Sequence, residues 1–364
     1  TALICGQLIT GKDEAPLIYT VILVEDGKIV RIGDKNLISD EYRVIDLSGY
    51  TVLPGLIDAH VHPLIYGDDY QTNHLKGSSA FNALRGLKTV QTWLEEGWTT
   101  IRIAGDADVH YAHLEIRDAI NNGLFDGPRI YGAGHYLSIT GGGGDINYLS
   151  SEQKIIADGL IVDGADEMRK AVREEIKNGS DWIKLLVSGA FMTAGDNPQN
   201  VHFSDEEIKV AVEEANKRGV PVMAHAHSTQ AIHKAIQLGA RSIEHGTFMT
   251  DETIDLLLQY DVYLIPTLAI GQYSLDQWAD SEAQAKSYAL TKKYREARMP
   301  VLRKAIQKGV KIGIGSDNVG FPPNFAAREF ADIIATQNSP LDDISELTRV
   351  KFVMKGGKVV KGVE

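Results

Sequence analysis

An α/β fold of the (β/α)8 barrel type, joined to a small β-sandwich domain formed by both chain ends, is what this sequence predicts, and three observations carry that reading. First, five polar helix-like segments each end on glycine and run into a short apolar strand: "EEGWTTIRIAG", "KNGSDWIKLLVSG", "KRGVPVMAHA", "QLGARSIEHG" and "QKGVKIGIGSD". "QYDVYLIPT" is a sixth copy with Asp261 at the glycine position. Glycine just past a helix end supplies a left-handed cap, so each copy reads as a helix-to-strand joint. Second, "LPGLIDAHVHP" before these copies and "PRIYGAG" between them bring the strand count to eight. Eight alternating units favour a closed barrel over an open doubly wound sheet. Third, both chain ends are rich in short strands, unlike the middle.

In chain order, residues 1–53 contain "ALICGQLIT", "YTVILVEDGKIVRIGD" and "RVIDLSGYTVL", with "EDGK" as a hairpin turn. Residues 54–330 hold the barrel, in which Ser204 and Glu207 form a capping box ahead of "IKVAVEEANKRG". After strand seven, "DQWADSEAQAKSYALTKKYREARMP" reads as a long helix that serves as a lid, a dimer surface or an extended barrel helix. Residues 331–364 return to strands in "VKFVMKGGKVVKG", turning at "KGGK". The chain after strand eight is too short for a long closing helix, and a segment is expected to be missing near Phe330–Ala331.

Composition narrows the function. With 364 residues, 43% hydrophobic and 24% charged, the chain can bury a large core. A net charge of −12 argues against nucleic acid and anionic membrane as partners, since both reward clustered Lys and Arg. The single Cys5 excludes an internal disulfide framework, reads as a buried strand residue and fits a cytoplasmic protein. No stretch approaches the roughly 18 apolar residues of a membrane span.

Barrel active sites sit at the C-terminal strand ends. Those ends carry His60 and His62 (strand one), Lys184 (four), His225 (five), His245 (six) and Asp317 (eight). Alternation puts His60 and His62 on one face, their Cα atoms about 6–7 Å apart. Singly, each residue has a plainer explanation: a hydrogen-bonded surface histidine, an outward-snorkelling lysine, an aspartate capping the next turn. Six such groups at the tops of the relevant strands instead form a nitrogen- and oxygen-rich set suited to Zn²⁺ or a similar divalent ion. His227 shares a strand face with His225. Arg102 stands at a strand end, where it meets either a substrate carboxylate or a structural acid. His74, His110, His113, His135, His202 and His233 share no spacing and read as solvent or loop residues.

On "PGLIDAHVH", "WIKLLVSGA", "AHAHS", "SIEHGTF" and "GIGSD", the chain resembles the amidohydrolase superfamily over nearly its whole length. Within it, the chain is most similar to the branch of imidazolonepropionase-like proteins, Xaa-Pro dipeptidases and arginine/lysine carboxypeptidases. The resemblance implies two divalent metal ions, zinc expected. His60, His62 and Asp317 would hold the more buried ion, and His225 and His245 the more exposed one. Lys184, carboxylated by CO2, would bridge them. It further implies attack by a metal-bridging hydroxide, with Asp317 moving the proton. His227 is implied to bind substrate. Relatives read "TGGH" in the loop after strand three, where this chain has Gly143, so Gly143 marks a change in substrate binding.

The expected activity is hydrolysis of an amide bond in a dipeptide, Xaa-Pro or similar, or in an N-acyl amino acid. The expected partner is a small molecule bearing a carboxylate, with homo-oligomerisation left open. A hydrolase of cyclic amides, carbamates or aryl ureas is the alternative on the same site. A single-metal deaminase is disfavoured by Lys184 and by Ser228, which stands where such enzymes place Glu. A non-catalytic scaffold is disfavoured because no ligand is lost.

Overall fold

The computed structural model describes all residues except 13–14, 68, 109, 281–284, 321–332 and 363–364. The chain opens with β1 (Ala2–Leu8), β2 (Leu17–Glu25), β3 (Lys28–Gly33) and β4 (Val44–Leu53). β1 pairs antiparallel with β2 and parallel with β4. β2 turns into β3 through Asp26 and Gly27, at φ +46° and +73°, the two left-handed residues of a primed hairpin turn.

The parallel strands follow. β5 (Leu56–Val61), β6 (Trp98–Ala104) and β7 (Arg129–Ala133) form one ladder. A second ladder contains β8 (Tyr136–Ser138), β9 (Leu160–Ile161), β10 (Ile183–Leu186), β11 (Val222–Ala226), β12 (Ser242–His245) and β13 (Tyr263–Ile265). The chain itself joins the two ladders, because barrel strand three is split: β7 pairs with β6, and β8 pairs with β10. On the other side, residues 311–318 bridge β13 and β5. Ala59 N donates to Ile314 O (2.7 Å) and Asp317 N to His60 O (2.8 Å), while Leu264 N donates to Lys311 O (2.9 Å). The barrel thus closes through a broken strand and single bridges, not one continuous ladder.

Helices α1 (Tyr70–Lys76), α2 (Ser79–Glu95), α3 (Ala112–Asn121), α4 (Ala165–Lys177), α5 (Asp205–Asn216), α6 (Thr229–Gln237), α7 (Asp251–Gln259), α8 (Leu268–Trp278) and α9 (Ala285–Gln307) lie between the strands. The expected joints hold: Gly239 takes φ +102° and Asp261, standing in for glycine, takes +56°. The Ser204–Glu207 capping box opens α5 with both of its bonds made. Alternation sends Ile183, Leu185, Val222, Ala224 and Ile243 outward against Val172, Ile208, Ala211, Ile232 and Ile254 of the helices. The opposite face of the same strands carries Lys184, His225 and Glu244, all buried.

β14 (Ile333–Thr336), β15 (Phe352–Lys355) and β16 (Lys358–Lys361) bring the chain back to the first sheet, in the order β16-β15-β14-β4-β1-β2-β3. A Cβ on Gly27 would lie 2.7 Å from Gly356 O, so this sheet curls until its two outer hairpins touch. Leu3, Cys5, Ile22, Leu47, Val52 and Phe352 fill its core. Burial pushes the Cys5 thiol up to about 12, so it is an inert apolar side chain. The stretch at 330–331, where a missing segment is expected, lies outside the described residues. No helix among the described residues is long and apolar enough to cross a membrane.

Candidate metal centre

His60, His62, Lys184, His225, His227, His245 and Asp317, delivered by five different strand ends, line one cavity of about 320 Å³. Asp317 Oδ1 lies 3.6 Å from His60 Nε2 and 3.4 Å from His62 Nε2, and Oδ2 lies 3.8 Å from His245 Nδ1. The rings of His225 and His245 are 4.5 Å apart, and those of His60 and His245 5.0 Å apart. Two overlapping triads, His60–His245–Asp317 and His225–His227–His245, bring ligating atoms within 4.8 Å of one another.

Outer hydrogen bonds settle which nitrogen of each ring is free. A carbonyl only accepts, so His62 Nδ1–H donates to Gly105 O (2.6 Å) and His225 Nε2–H to Gly189 O (3.1 Å). His60 Nδ1–H donates to the Glu244 carboxylate (2.6 Å). His245 Nδ1 bonds the Thr267 hydroxyl, and His227 Nδ1 that of Thr247, both at 2.7 Å. A carboxylate behind a ligating imidazole is the usual support of a metal-binding histidine. His60 Nε2, buried and facing Asp317, has no hydrogen-bond partner among the described residues. An orphaned lone pair inside a cluster of imidazoles and a carboxylate fits a divalent cation.

Strand alternation alone would not build this site. Glu244 and His245 are neighbours on β12, yet both point into the barrel. His245 achieves this at φ +70°, and Asp317 sits at φ +56°. Each such non-glycine residue stores on the order of 1–3 kcal/mol, which the surrounding bonds must hold in place.

The electrostatics suit ligands that bind in their deprotonated forms. Burial, with the Lys184 charge nearby, lowers His60 to about 4 and His225 to about 3. Burial and the neighbouring imidazoles hold His227 and His245 well below their ordinary value. Burial would raise Asp317, but the His62 hydrogen bond and the charges of His60, His62 and Lys184 bring it down to about 2. Burial also lowers Lys184 to about 8, leaving a fraction of free amine at neutral pH, the form that reacts with CO2. The Lys184 side chain makes no hydrogen bond or ion pair among the described residues.

Not every expected site residue belongs here. Arg102 does not reach the cavity. It lies inside the barrel, donating to Ala59 O (2.6 Å), Ser242 Oγ (3.1 Å) and Glu244 Oε1 (2.8 Å), with Trp182 stacked on its guanidinium. The expectation of a substrate contact is therefore corrected: its strand position is below the ligand layer, and Glu244 occupies its charge. Gly143 does line the cavity, its carbonyl accepting from Thr193 Oγ1 (2.7 Å). A Cβ there would sit 3.0 Å from Ala190 Cβ and 3.2 Å from Leu186 Cδ1, so a larger residue requires the facing loop to move.

His113 departs from the expected solvent or loop position, being buried on α3, whereas His135 and His202 do lie in loops but with their rings buried. His113 and His135 are buried; Glu175 accepts from the His135 ring (2.6 Å), and Asp196 from the His202 ring (3.1 Å). Sequence reasoning missed Glu244, because alternation with His245 pointed it away from the site. It also missed Tyr70, Tyr294 and Arg298, which line the cavity from α1 and α9. Helical spacing on α9 was the available signal, since 291, 294, 295 and 298 share a face. That helix forms a wall of the cavity, as does α8.

The amidohydrolase family pattern matches residues 51–343. The chain belongs to the amidohydrolase family. It is a hydrolase of amide bonds, and its fold is the barrel with an added β domain seen in that family. Ochratoxinase of Aspergillus niger is 29% identical, over all of this chain and 87% of that protein. Its crystal structure gives a TM-score of 0.84, covering 99% of this chain and 95% of the other at 28% identity. A Xaa-Pro dipeptidase with methionine in its active site is 29% identical, with TM-score 0.88 and 99% of both chains covered. A prolidase complexed with N-methylphosphonate-L-proline is 27% identical, with TM-score 0.89 and the same coverage.

Proposed function

We propose that this amidohydrolase is binuclear and cleaves the amide bond of a dipeptide, Xaa-Pro or similar, or of an N-acyl amino acid. The observation that carries the reading is the ligand cluster around Asp317, with its orphaned His60 Nε2 and its anchored outer nitrogens. His60, His62 and Asp317 would hold one divalent ion and His225 and His245 the second, with Lys184 carboxylated between them. When bound, the ions would polarise the scissile carbonyl and lower the pKa of water toward 7.

The remaining steps belong to the chain. Asp317, well below the ordinary carboxylate range, accepts the proton of the attacking water and returns it to the leaving nitrogen. Glu244 and Gly105 O keep His60 and His62 in one tautomer throughout. His227, edge-on to Phe191 at 4.7 Å, orients the substrate. Ochratoxinase, a Xaa-Pro dipeptidase and a prolidase with a phosphonate-proline ligand among the similar proteins support an amino-acid amide as substrate. The same reading divides the chain at 53 and 330, and the single buried Cys5 supports a cytoplasmic setting, zinc being the expected metal.

The test compares wild type with Lys184→Ala, both prepared with zinc and bicarbonate. Metal per chain and amino-acid release from a panel of L-dipeptides and N-acyl amino acids are measured together. Two metals and turnover in wild type, both falling in the variant, are expected. A Lys184→Ala protein with two metals and full turnover sinks the carbamate-bridged site.

A further inference from the structure

We infer that Arg298 is the carboxylate-binding residue of the substrate pocket, so that this enzyme selects amides ending in a free carboxylate over their neutral counterparts. The inference rests on the proposed reading of the site for the position of the scissile bond, but its evidence is separate.

Several arginines in the described structure are paired with acids. Arg102 meets Glu244, Arg117 meets Asp118 and Asp181, Arg173 meets Glu214, and Arg349 meets Asp343 and Glu346. Arg298 is different. It lines the cavity from α9, yet has no acidic partner among the described residues. Its one hydrogen bond there runs from Nη1 to the main-chain oxygen of His245, at 3.2 Å. Its Nε is shut off from solvent and has no partner among the described residues. Nε and Nη2 form the side-on fork of a guanidinium, the edge whose two parallel N–H groups match a carboxylate.

A cation partly withdrawn from water without a counter-ion is costly, and desolvation weakens its hold on its proton, with the Arg295 charge adding to the effect. A ligand carboxylate would remove that cost, and an uncharged ligand would not. The position suits the chemistry. The anchoring bond to His245 O ties the guanidinium to the wall carrying His225, His227 and His245. Tyr294, one turn back on α9, packs its ring against Phe191 at 5.5 Å, and Phe191 packs on His227. A substrate with its amide over the ligand cluster and its carboxylate on Arg298 would lay its side chain against this aromatic wall.

The experiment uses metal-loaded wild type, Arg298→Gln and Arg298→Lys, with N-acetyl-L-phenylalanine and N-acetyl-L-phenylalaninamide as probes. Calorimetric binding and kcat/KM are both read, and thermal midpoints check folding. Wild type should favour the acid over the amide by about 10- to 100-fold, the span of a charge-assisted pair. Arg298→Gln should lose that preference through affinity for the acid alone, while Arg298→Lys, which keeps the charge without the fork, should retain part of it.

A preference that survives in Arg298→Gln overturns the inference, as does its absence in wild type. Equal losses for acid and amide, meaning that Arg298 only braces His245, overturn it too. Should Arg298→Gln fail to fold, the lysine variant decides: an unreduced preference there rules out the fork. Turnover of the panel without any dependence on Arg298 would leave the amidase reading standing and this inference refuted. Arg298-dependent binding of the acid without amide cleavage would do the reverse.

Discussion

Replacing Glu244 with Gln tests whether the ligand layer depends on a charge one layer beneath it. The buried Glu244 carboxylate accepts from His60 Nδ1 at 2.6 Å, Arg102 Nη2 at 2.8 Å and Ser242 Oγ at 2.5 Å. Burial alone would raise its pKa, but the Arg102 charge and the His60 bond hold it far below the carboxylate range. Glutamine keeps the shape and one acceptor oxygen but offers two N–H donors to partners that are themselves donors. Arg102 would then stand inside the barrel with no counter-charge. Breaking a buried pair from one side costs about 3–5 kcal/mol, and the lower end applies because Arg102 retains Ala59 O and Trp182. His60 also loses the support that fixes its tautomer, which weakens metal binding by about 10- to 100-fold.

Urea unfolding of the metal-free protein reads the first quantity, and competition for zinc against a chromophoric chelator reads the second. A double change with Arg102→Met should recover most of the lost stability, since it removes the stranded charge, but not the metal affinity. The reasoning fails if Glu244→Gln alone stays within about 0.5 kcal/mol of wild type. It fails equally if the double variant is as unstable as the sum of its parts.

Two further expectations concern the pocket wall and the pH response. Gly143→Ala brings a Cβ to 3.0 Å from Ala190 Cβ; about 1 kcal/mol of stability and a raised KM are expected, with metal content unchanged. Metal loss in that variant, measured by elemental analysis, would show that the wall and the ligand layer are not independent. Buried His113 lies away from the ligand cluster, with Nε2 on Ala133 O (3.0 Å), and burial lowers it to about 4. Its folded pKa is below the unfolded value of roughly 6.5, so the unfolded chain binds more protons in that window. Stability attributable to His113 is complete above about 6.5, then lost as pH falls through about 4, on the order of 3 kcal/mol in all. His113→Gln should flatten that part of the pH–stability curve, and an unchanged slope would assign the acid sensitivity elsewhere.

Local rules carried much of the architecture. The helix-to-strand joints were legible because a left-handed residue is a local need: glycine meets it at Gly239, and Asp261 meets it where glycine is missing. "EDGK" and "KGGK" were legible for the same reason, both turning through paired left-handed residues. The gathering of His60, His62, Lys184, His225, His245 and Asp317 was legible because strand ends of a parallel barrel converge whatever else the chain does. Arg102, Glu244 and Arg298 were not. Arg102 and Glu244 face each other from β6 and β12, 142 residues apart. Only closure of the barrel decides that the charge of one is spent on the other.

By itself, then, the sequence determined the elements, their order, and which polar side chains gather at the strand tops. Those follow from periods of 3.6 and 2 and from the backbone demands of single residues. The tertiary structure decided which nitrogen of each histidine is free, which acid supports which ligand, and which arginine is left without a partner. Hydrogen bonds and ion pairs reach only a few ångströms, so their partners exist only once distant strands have been brought side by side.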